Sequence, residues 1–310
     1  MMTTRVILLR HGRSNYNELG VFQGSCDDSV LTETGLAMAG KTAAYLAQFP
    51  IDTIYTSSLQ RAKQTAYIVS WQQSEKLHPR ASEDLQEIHL PAWQGLRYQF
   101  VREQHSDAYA IWKETPQDFA MLDPSGNPFY PVRELFERSL NFWQATIPNH
   151  PNQTIVVVSH GGTIQALIAT ALGLQAAVFH RMQQSNCGLS VLNFPTGLNG
   201  PAQLESLNLT QHLGETLPKL KEGKQGTREL LWASDEGHPP IEIALPALPG
   251  LQTHLQTCST ATIRSLLQRT LGNSFYHASC CIQSGTYCIL HRPKSLKHSI
   301  IQAINWLPQM

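Results

Sequence analysis

The stretch VILLRHGRSN, residues 6–15, joins four apolar residues directly to Arg10, His11 and Gly12. Four consecutive apolar residues of this kind predict a strand that is buried on both faces. A buried strand seldom ends on so much cationic and polar chemistry unless an anion binds there. Because ligands of α/β sheets bind beyond the carboxyl ends of the strands, the stretch predicts an α/β fold with an anion site at this strand end.

The composition indicates a folded chain without a strong overall charge. Hydrophobic residues make up 42% of the 310 residues and charged residues 15%, which is enough for a substantial core. The 23 basic residues balance the 23 acidic ones. Since no overall charge attracts nucleic acid or an anionic membrane, we expect neither as a partner. The length suits one large α/β domain, or one domain of about 200 residues with an appendage.

The sequence carries no signal for membrane insertion, export or a metal cluster. Its longest apolar runs are well short of the ~20 residues that span a bilayer, and the apolar run near the N-terminus is too short for a signal peptide. The six cysteines show no metal-ligand spacing. We therefore expect a cytoplasmic protein with reduced thiols.

Predicted strands alternate with predicted helices along most of the chain. Strands are expected at 5–11, 52–57, 188–194 and 204–209, helices at 31–49, 58–71 and 131–147, and a strand, a Gly-Gly turn and a helix at 154–174. Thr32 is a candidate N-cap. The helix after it has an apolar face formed by Leu36, Ala39, Ala43 and Leu46. This alternation predicts a mostly parallel sheet covered by helices on both faces.

Cationic side chains follow three of the predicted strands. Arg10 and His11 end the first strand, and Arg61 lies in the first turn of the helix after the second. His160 comes just before Gly161 and a third helix start. Helix starts favour anions, and glycines let the backbone approach a ligand closely. Two arginines and two histidines that converge on one crevice predict a phosphate pocket.

A metal site is the main alternative for two histidines. Metal sites usually add a carboxylate or cysteine ligand. Here Arg10, Arg13 and Arg61 flank the histidines, and their positive charge would repel a divalent cation. Neither G-x-x-x-x-G-K-[ST] nor G-x-G-x-x-G occurs in the chain. We expect a phosphate group to bind without a metal or another cofactor.

Such a pocket suits phosphoryl transfer as well as storage. A neutral imidazole is a good nucleophile toward phosphorus when its other nitrogen is fixed by a hydrogen bond. The arginines and the second histidine would neutralise the equatorial oxygens. Candidate acids for the leaving oxygen are Glu83, Asp84 and Glu87. A solvated loop carboxylate is the alternative interpretation of Glu87.

Four ordered motifs between about residues 5 and 213 resemble the histidine phosphatase superfamily, in its phosphoglycerate-mutase-like branch. They are RHGRSNYN at 10–17, TSSLQRAKQTA at 56–66, LQEIHLPAWQGL at 85–96 and VVVSHGGTI at 156–164. The resemblance implies a three-layer α/β/α sandwich that needs no metal. It implies that His11 is the phosphorylated nucleophile and Glu87 the proton donor. The phosphate pocket would be completed by Arg10, Arg61, His160, Ser14, Asn17 and the amide of Gly161.

Within this resemblance, the segment around the acid favours a phosphatase over a mutase. Dedicated mutases carry longer insertions over the pocket than the segment between Glu87 and Pro131. EIHLPAWQG at 87–95 is similar to metal-independent phosphoserine phosphatases, which predicts hydrolysis of L-phosphoserine, a reaction of serine biosynthesis. Three alternatives remain open: a phosphoglycerate mutase, a phosphatase for a sugar phosphate or α-ribazole phosphate, and a non-catalytic phosphate sensor.

The substrate prediction depends on His89. In an extended segment, residues two apart point the same way, so His89 would face the cavity beside Glu87 and bind the substrate carboxylate. Gln23 and Gly24 would offer further hydrogen bonds, and Asp27 or Asp28 a partner for the ammonium. A histidine that only orients Glu87 or faces solvent is the alternative.

The remaining chain is predicted to form a linker, 218–226, between a histidine phosphatase domain, 1–217, and a C-terminal α/β extension, 227–310. Helices are expected at 262–272 and 295–307 and a strand at 285–291. GTRELLWASDEG at 226–237 weakly echoes TTRVILLRHGR at 3–13, with Ala233, Ser234 and Asp235 at the places of Arg10, His11 and Gly12. The extension is therefore either a decayed, partial second copy without the nucleophile or an unrelated cap. A homodimer is the predicted assembly.

Overall fold

The computed structural model describes residues 3–221, 223–243, 248–272, 274–275 and 280–308. Helices α1 to α8 span Asn15–Leu19, Glu33–Leu46, Gln60–Trp71, Tyr98–Gln104, Ser106–Glu114, Pro131–Thr146, Gly161–Ala171 and Thr260–Leu271. Strands β1 to β12 span Thr4–Arg10, Thr53–Ser57, Arg80–Ser82, Met121–Leu122, Pro128–Phe129, Thr154–Ser159, Leu189–Phe194, Gln203–Leu209, Gly226–Ala233, Leu251–Cys258, Tyr287–Pro293 and Ile300–Trp306.

Ten of these strands form one sheet in the order β10-β9-β11-β12-β8-β7-β1-β6-β2-β3. The part of the sheet formed by residues 4–209 has a parallel core, in which β1 pairs with β6, β6 with β2, and β2 with β3. Strands β7 and β8 continue it in the antiparallel sense. The α/β fold class predicted from the sequence is confirmed.

Strand β1 shows why the sheet needs helices on both sides. Val6 and Leu8 pack into the core cluster that contains residues of α6 and α7, and Ile7 and Leu9 pack into the cluster beneath α2 and α3. All four side chains are at most 3% exposed. Because alternate residues of a strand point to opposite faces, a continuous apolar run is what a strand buried on both faces requires.

Helix α2 confirms one prediction and corrects another. Thr32 caps it, because its hydroxyl accepts a hydrogen bond from the Gly35 N–H at 3.2 Å. Leu36, predicted on the buried face, is 37% exposed, so that part of the prediction is wrong. Gly35 is on the buried face instead. It packs so closely against the loop after β1 that a Cβ at this position would lie 2.0 Å from the Arg13 carbonyl oxygen. The close passage of the loop after β1 therefore sets the rotation of the helix.

The C-terminal residues extend the same sheet through the pairing of β12 with β8. Helix α8 and strand β11 confirm the elements predicted at 262–272 and 285–291. The helix predicted at 295–307 is wrong, because Ile300–Trp306 forms β12. This strand is buried on both faces, so its apolar residues do not alternate and their spacing does not distinguish a strand from a helix. None of the described helices is long and apolar enough to cross a membrane.

Candidate active site

The ends of β1, β2 and β6 bring the predicted strand-end residues together. The backbone N–H of His11 donates to Ser159 O at 2.9 Å, which ties the residue after β1 to the end of β6. The rings of His11 and His160 lie 5.1 Å apart, centroid to centroid. Arg61 enters from the first turn of α3 and is 1% exposed. Gly161 begins α7 beside the Arg10 guanidinium.

His11 has the hydrogen bonding of a nucleophile. Its ring is 1% exposed, and Nδ1 lies 2.7 Å from the carbonyl oxygen of Gly12. Because a carbonyl oxygen only accepts, Nδ1 carries the proton and the neutral ring has its lone pair on Nε2. Burial, followed by the charges of Arg61 and Arg10, holds the pKa of His11 well below its usual value of 6.5. The ring is therefore neutral near pH 7.

Backbone carbonyls hold both arginines of the pocket. Arg10 Nη1 donates to Gln184 O at 3.0 Å. Arg61 Nη1 and Nη2 donate to Cys26 O at 2.8 Å and to Gly24 O at 3.0 Å. Gly24 has a φ of +54°, a conformation that glycine adopts without strain. The backbone of the loop after α1 therefore holds the Arg61 guanidinium in place.

Three buried nitrogen atoms remain for an anion. Within the described ranges, Arg10 Nε, Arg61 Nε and His160 Nδ1 have no hydrogen-bond partner. His160 Nε2 lies 2.8 Å from Ser57 Oγ, and burial is the largest cause that keeps the pKa of His160 well below 6.5. Buried polar atoms are normally paired, so these three indicate a ligand with several acceptor oxygens. Across the described residues, no group of three or more His, Cys, Asp or Glu side chains could hold a metal ion.

The carboxyl group of Glu87 lies against the start of α7. Its Oε2 accepts from the Gly162 N–H at 3.2 Å, and its Oε1 accepts from the Thr163 N–H at 3.1 Å. The Ile88 N–H donates to Oε1 as well, at 3.0 Å. The side chain borders the same cavity as Arg10. These bonds fix the carboxyl group next to the anion pocket, whereas Glu83 and Asp84 lie outside the cavity lining.

Arg138 of α6 supports the loop that carries Glu87, and no motif in the sequence indicates this role. Its Nη1 donates to the carbonyls of Glu83, Asp84 and Gln86 at 3.1–3.3 Å, and its Nη2 donates to Glu87 O at 3.4 Å. Only its place on a helix could be predicted, because its partners lie about 50 residues earlier in the chain.

Ser14 and Asn17 lie at the start of α1, directly after the loop that follows β1, and they fix the backbone there. They form a capping box at the start of α1, in which Asn17 Oδ1 accepts from the Ser14 N–H at 3.2 Å. Asn186 Nδ2 donates to Asn17 Oδ1 at 2.9 Å and to His11 O at 3.1 Å. Gln23 Oε1 accepts from Ser14 Oγ at 3.0 Å. Asn186 is a second residue that the motifs did not reveal.

A cavity of about 140 Å³ opens from the anion pocket. Its polar lining comes from Arg10, Glu87, Gln23, Gly24, Gln165 and His180. His180 donates to the Trp112 backbone, and burial is the largest cause of its lowered pKa, so the ring is neutral. Its Nε2 is buried without a partner among the described residues. His180 therefore contributes a hydrogen-bond acceptor rather than a charge to the cavity wall.

His89 lies outside this cavity lining. Its side chain is exposed, with Nδ1 2.8 Å from Ser25 Oγ and the ring packed near Phe129. Asp27 accepts from the Gln60 N–H at 2.6 Å, and Asp28 is exposed. The substrate contacts expected of these residues stay predictions.

Comparison with known proteins identifies the family. Residues 6–208 match the model of the histidine phosphatase superfamily, branch 1. A 2-carboxy-D-arabinitol-1-phosphatase of Triticum aestivum is 37% identical over 209 residues, which cover 66% of this chain and 41% of the wheat protein. The chain thus spans about two fifths of that relative's length.

Smaller relatives match the same portion over nearly their whole length. Phosphoserine phosphatase 1 of Hydrogenobacter thermophilus is 28% identical over 211 residues, 68% of this chain and 95% of that protein. The structure of an Entamoeba histolytica phosphoserine phosphatase in complex with 3-phosphoglyceric acid has a TM-score of 0.57 and 30% identity, covering 68% of this chain and 99% of that one. With the four motifs and the pocket they form, these matches show that the chain belongs to the histidine phosphatase superfamily, branch 1.

Proposed function

We propose that this protein is a metal-independent phosphomonoesterase that works through a phosphohistidine at His11. The observation that carries the proposal is the 2.7 Å hydrogen bond between His11 Nδ1 and Gly12 O, which leaves the lone pair on Nε2. The neutral ring lies against two guanidinium groups that suit a phosphate. Membership of the superfamily supports the same chemistry.

In the first step, Nε2 of His11 attacks the phosphorus atom, and the bond between phosphorus and the ester oxygen breaks. Arg10 and Arg61 neutralise the charge on the equatorial oxygens, and the neutral His160 donates a hydrogen bond to them. Glu87, protonated at this stage, gives its proton to the leaving oxygen, so the alcohol departs uncharged.

In the second step, a water molecule attacks the phosphorus atom and the bond to Nε2 breaks. The Glu87 carboxylate takes a proton from this water, which restores the acid for the next cycle. Inorganic phosphate leaves, and His11 is neutral again. The Gly12 carbonyl holds the Nδ1 proton throughout, so the same nitrogen attacks in every turnover.

We propose a small phosphorylated metabolite as the substrate, with L-phosphoserine preferred. Phosphoserine, 3-phosphoglycerate and 2-carboxy-D-arabinitol 1-phosphate, to which the matched relatives' names refer, share one arrangement. The carbon next to the phosphoester carbon bears a carboxylate together with an ammonium or a hydroxyl group. The unpartnered Nε2 of His180 suits a donor of this kind. Phosphoserine hydrolysis would supply serine for biosynthesis.

Hydrolysis of 2-carboxy-D-arabinitol 1-phosphate is the second candidate. It is favoured by the 37% identity to the wheat enzyme, which exceeds the 28% identity to the bacterial phosphoserine phosphatase. The two candidates use the same chemistry at His11 and differ in the size of the alcohol that leaves.

The test is a comparison of kcat/KM in EDTA for these two compounds, 3-phosphoglycerate, α-ribazole phosphate, a sugar phosphate and O-phosphoethanolamine. Phosphoethanolamine lacks only the carboxylate of phosphoserine, so we expect phosphoserine to exceed it at least tenfold. Equal kcat/KM values for the two compounds would contradict the proposal that the substrate carboxylate is recognised. Conversion of 3-phosphoglycerate to its isomer without release of phosphate would identify a mutase, and no turnover of any compound would contradict the enzyme proposal.

A further inference from the structure

We propose that residues 226–308, called the repeat below, are a shortened second copy of residues 4–209, called the catalytic part below. The repeat pairs with strand β8 as a second protomer would, and it supports the segment that holds Arg10. The structural part of this proposal is independent of the reaction, whereas the effect on Arg10 rests on the proposed phosphate pocket. Four kinds of observation carry it: strand order, matched hydrogen bonds, a recurring backbone conformation and a two-fold relation between the halves.

The order and directions of the strands repeat. In the catalytic part, β1 lies between parallel β6 and antiparallel β7, and β7 pairs with β8 in the antiparallel sense. In the repeat, β9 lies between parallel β10 and antiparallel β11, and β11 pairs with antiparallel β12. A helix follows the parallel neighbour in both halves, α7 after β6 and α8 after β10.

The hydrogen bonds agree in register with this strand order. His11 N–H donates to Ser159 O at 2.9 Å, and Ser234 N–H donates to Cys258 O at 2.9 Å. These two pairs occupy the same place after the first strand and at the end of its parallel neighbour. The register also puts Ser234 at the position of His11, as the echo in the sequence predicts.

An uncommon backbone conformation recurs as well. Asn208 in β8 and Asn305 in β12 have φ angles of 52° and 55°, in the left-handed region. Both β7–β8 and β11–β12 carry register shifts at matching positions. The strand-helix junctions share residues too: SHGGTIQALIATALG at 159–173 and CSTATIRSLLQRTLG at 258–272 agree at Thr262, Ile263, Leu266, Leu271 and Gly272.

The two copies meet across a local two-fold axis. Leu207 of β8 pairs directly with Ile304 of β12, and these are matching residues of the two copies. The flanking bonds are reciprocal. They run from Asn208 Nδ2 to Gln302 O at 2.7 Å and from Asn305 Nδ2 to Glu205 O at 2.5 Å. Contacts in which residue i meets j and j meets i define the interface of a symmetric dimer. Here one chain supplies both sides.

The repeat has lost the phosphate site. Ala233, Ser234 and Ser259 stand at the places of Arg10, His11 and His160 in this register. Asp235 accepts from the N–H and the hydroxyl of Thr260 at the start of α8, each at 2.9 Å. A carboxylate of the chain thus takes the anion position at this helix start. Its retained role is to pair with the catalytic part.

That pairing reaches the active site through residues 182–186. The Gln183 N–H donates to Ile301 O at 2.8 Å, and Gln302 Nε2 donates to Gln183 Oε1 at 3.0 Å. The next residue, Gln184, accepts from Arg10 Nη1. Strand β12 therefore holds the segment whose carbonyl orients the phosphate-binding arginine. The homodimer predicted from the sequence would have to use a surface other than the β8 edge.

Light scattering tests whether the repeat takes the place of a second protomer at the β8 edge. We expect the full chain to be a monomer of 34.6 kDa, and a chain ending at residue 217 to pair through its open β8 edge. The Entamoeba relative consists almost wholly of this portion, which indicates that it folds by itself. A dimeric full chain with a monomeric short chain would overturn the proposal, and so would the same state for both.

The link to Arg10 is tested by Gln302→Glu in the full chain. In the wild type, Arg228 Nε donates to Gln302 Oε1 at 2.7 Å, and a carboxylate at this position can still accept that bond. It has no N–H group, however, and so it cannot donate to Gln183 Oε1. We expect the dissociation constant of orthovanadate, measured by calorimetry without turnover, to rise about three- to tenfold with unchanged circular dichroism. Gln252→Glu on the exposed edge of β10 is the control and should leave it unchanged.

An unchanged constant in Gln302→Glu would overturn the supporting role of β12, even if the short chain precipitates. Because the titration measures anion binding and not hydrolysis, this result is separate from the fate of the proposed reaction. Vanadate binding without any phosphatase activity would contradict the proposed function and leave the repeat intact.

Discussion

Gly162 lies against the carboxyl group of Glu87. Its N–H donates to Glu87 Oε2 at 3.2 Å, and a Cβ at position 162 would lie only 2.7 Å from Oε1. No side chain fits between the start of α7 and the proposed acid. The second glycine of the SHGG motif therefore serves the acid, whereas the first lies beside Arg10.

Gly162→Ala should displace Glu87 while leaving His11 in place. We expect kcat for phosphoserine to fall about 10- to 100-fold, the range typical of a disturbed general acid, and kcat for p-nitrophenyl phosphate to fall much less. The nitrophenolate leaves without a proton. Gly40→Ala is the control, because no atom of the described residues lies within 4 Å of a Cβ there. Equal losses on both substrates would show that Glu87 does not protonate the leaving group.

His11→Ala should fold normally and lose nearly all activity. The ring is proposed to form the covalent intermediate, and a missing nucleophile has no substitute in the pocket. Wild type mixed rapidly with ³²P-labelled substrate should carry acid-labile label, and the variant should carry none. His78→Ala, at an exposed position, should label like wild type. Substantial turnover by His11→Ala would refute the assignment.

Arg138→Ala should slow the reaction without touching the phosphate. The loss of four bonds to the acid loop lets Glu87 move, so we expect kcat on phosphoserine to fall about tenfold with little change in KM. Arg133→Ala removes an exposed arginine of the same helix, paired with Asp118, and should have no effect. A large rise in KM alone would mean that Arg138 acts on binding instead.

His89→Ala tests the predicted contact with the substrate carboxylate. If that contact forms, KM for phosphoserine rises while p-nitrophenyl phosphate is spared. His180→Leu provides the comparison, since it removes the acceptor inside the cavity. A KM effect of His180→Leu without one of His89→Ala would assign recognition to the cavity and would reject the sequence-based role of His89.

His212 should make stability depend on pH. Burial lowers its pKa from 6.5 to about 4, so the unfolded chain binds a proton between these values that the folded chain does not. The folded state keeps this stabilisation above pH 6.5 and loses it as the pH falls toward 4; we expect the loss to be ~3 kcal/mol. His212→Phe preserves a ring beside Tyr45 and should flatten the curve of unfolding free energy against pH. Parallel curves from urea melts would contradict this.

The strand-end residues could be predicted because the chemistry and the fold use the same short motifs. His11 and Arg10 follow an apolar run, and such a run ends where ligands bind in an α/β sheet. Arg138 and Asn186 could not, because each acts on backbone carbonyls that only the tertiary fold brings near. The role predicted for His89 depends on its spacing from Glu87, and spacing does not reveal how far a loop lies from the cavity.

The structure of the C-terminal residues could likewise be predicted only in part from the sequence. The weak echo at 226–237 covers only one strand of the proposed second copy, and the proposal depends on strand directions and registers that no local pattern contains. The missed strand β12 is an example. Its apolar residues are buried on both faces of the sheet, so they show no alternating pattern. The strand is therefore recognised only by the strands with which it pairs.

The pairing of Leu207 with Ile304 has a consequence for the nascent chain. Strand β8 leaves the ribosome before β12, and at a synthesis rate of about 5–20 residues per second its edge waits roughly 5–20 s for its partner. An open strand edge is a template for another chain. On a polysome, neighbouring nascent chains expose the same edge at the same time. Translation of residues 210–306 is therefore the interval in which two chains can join before each one closes on itself.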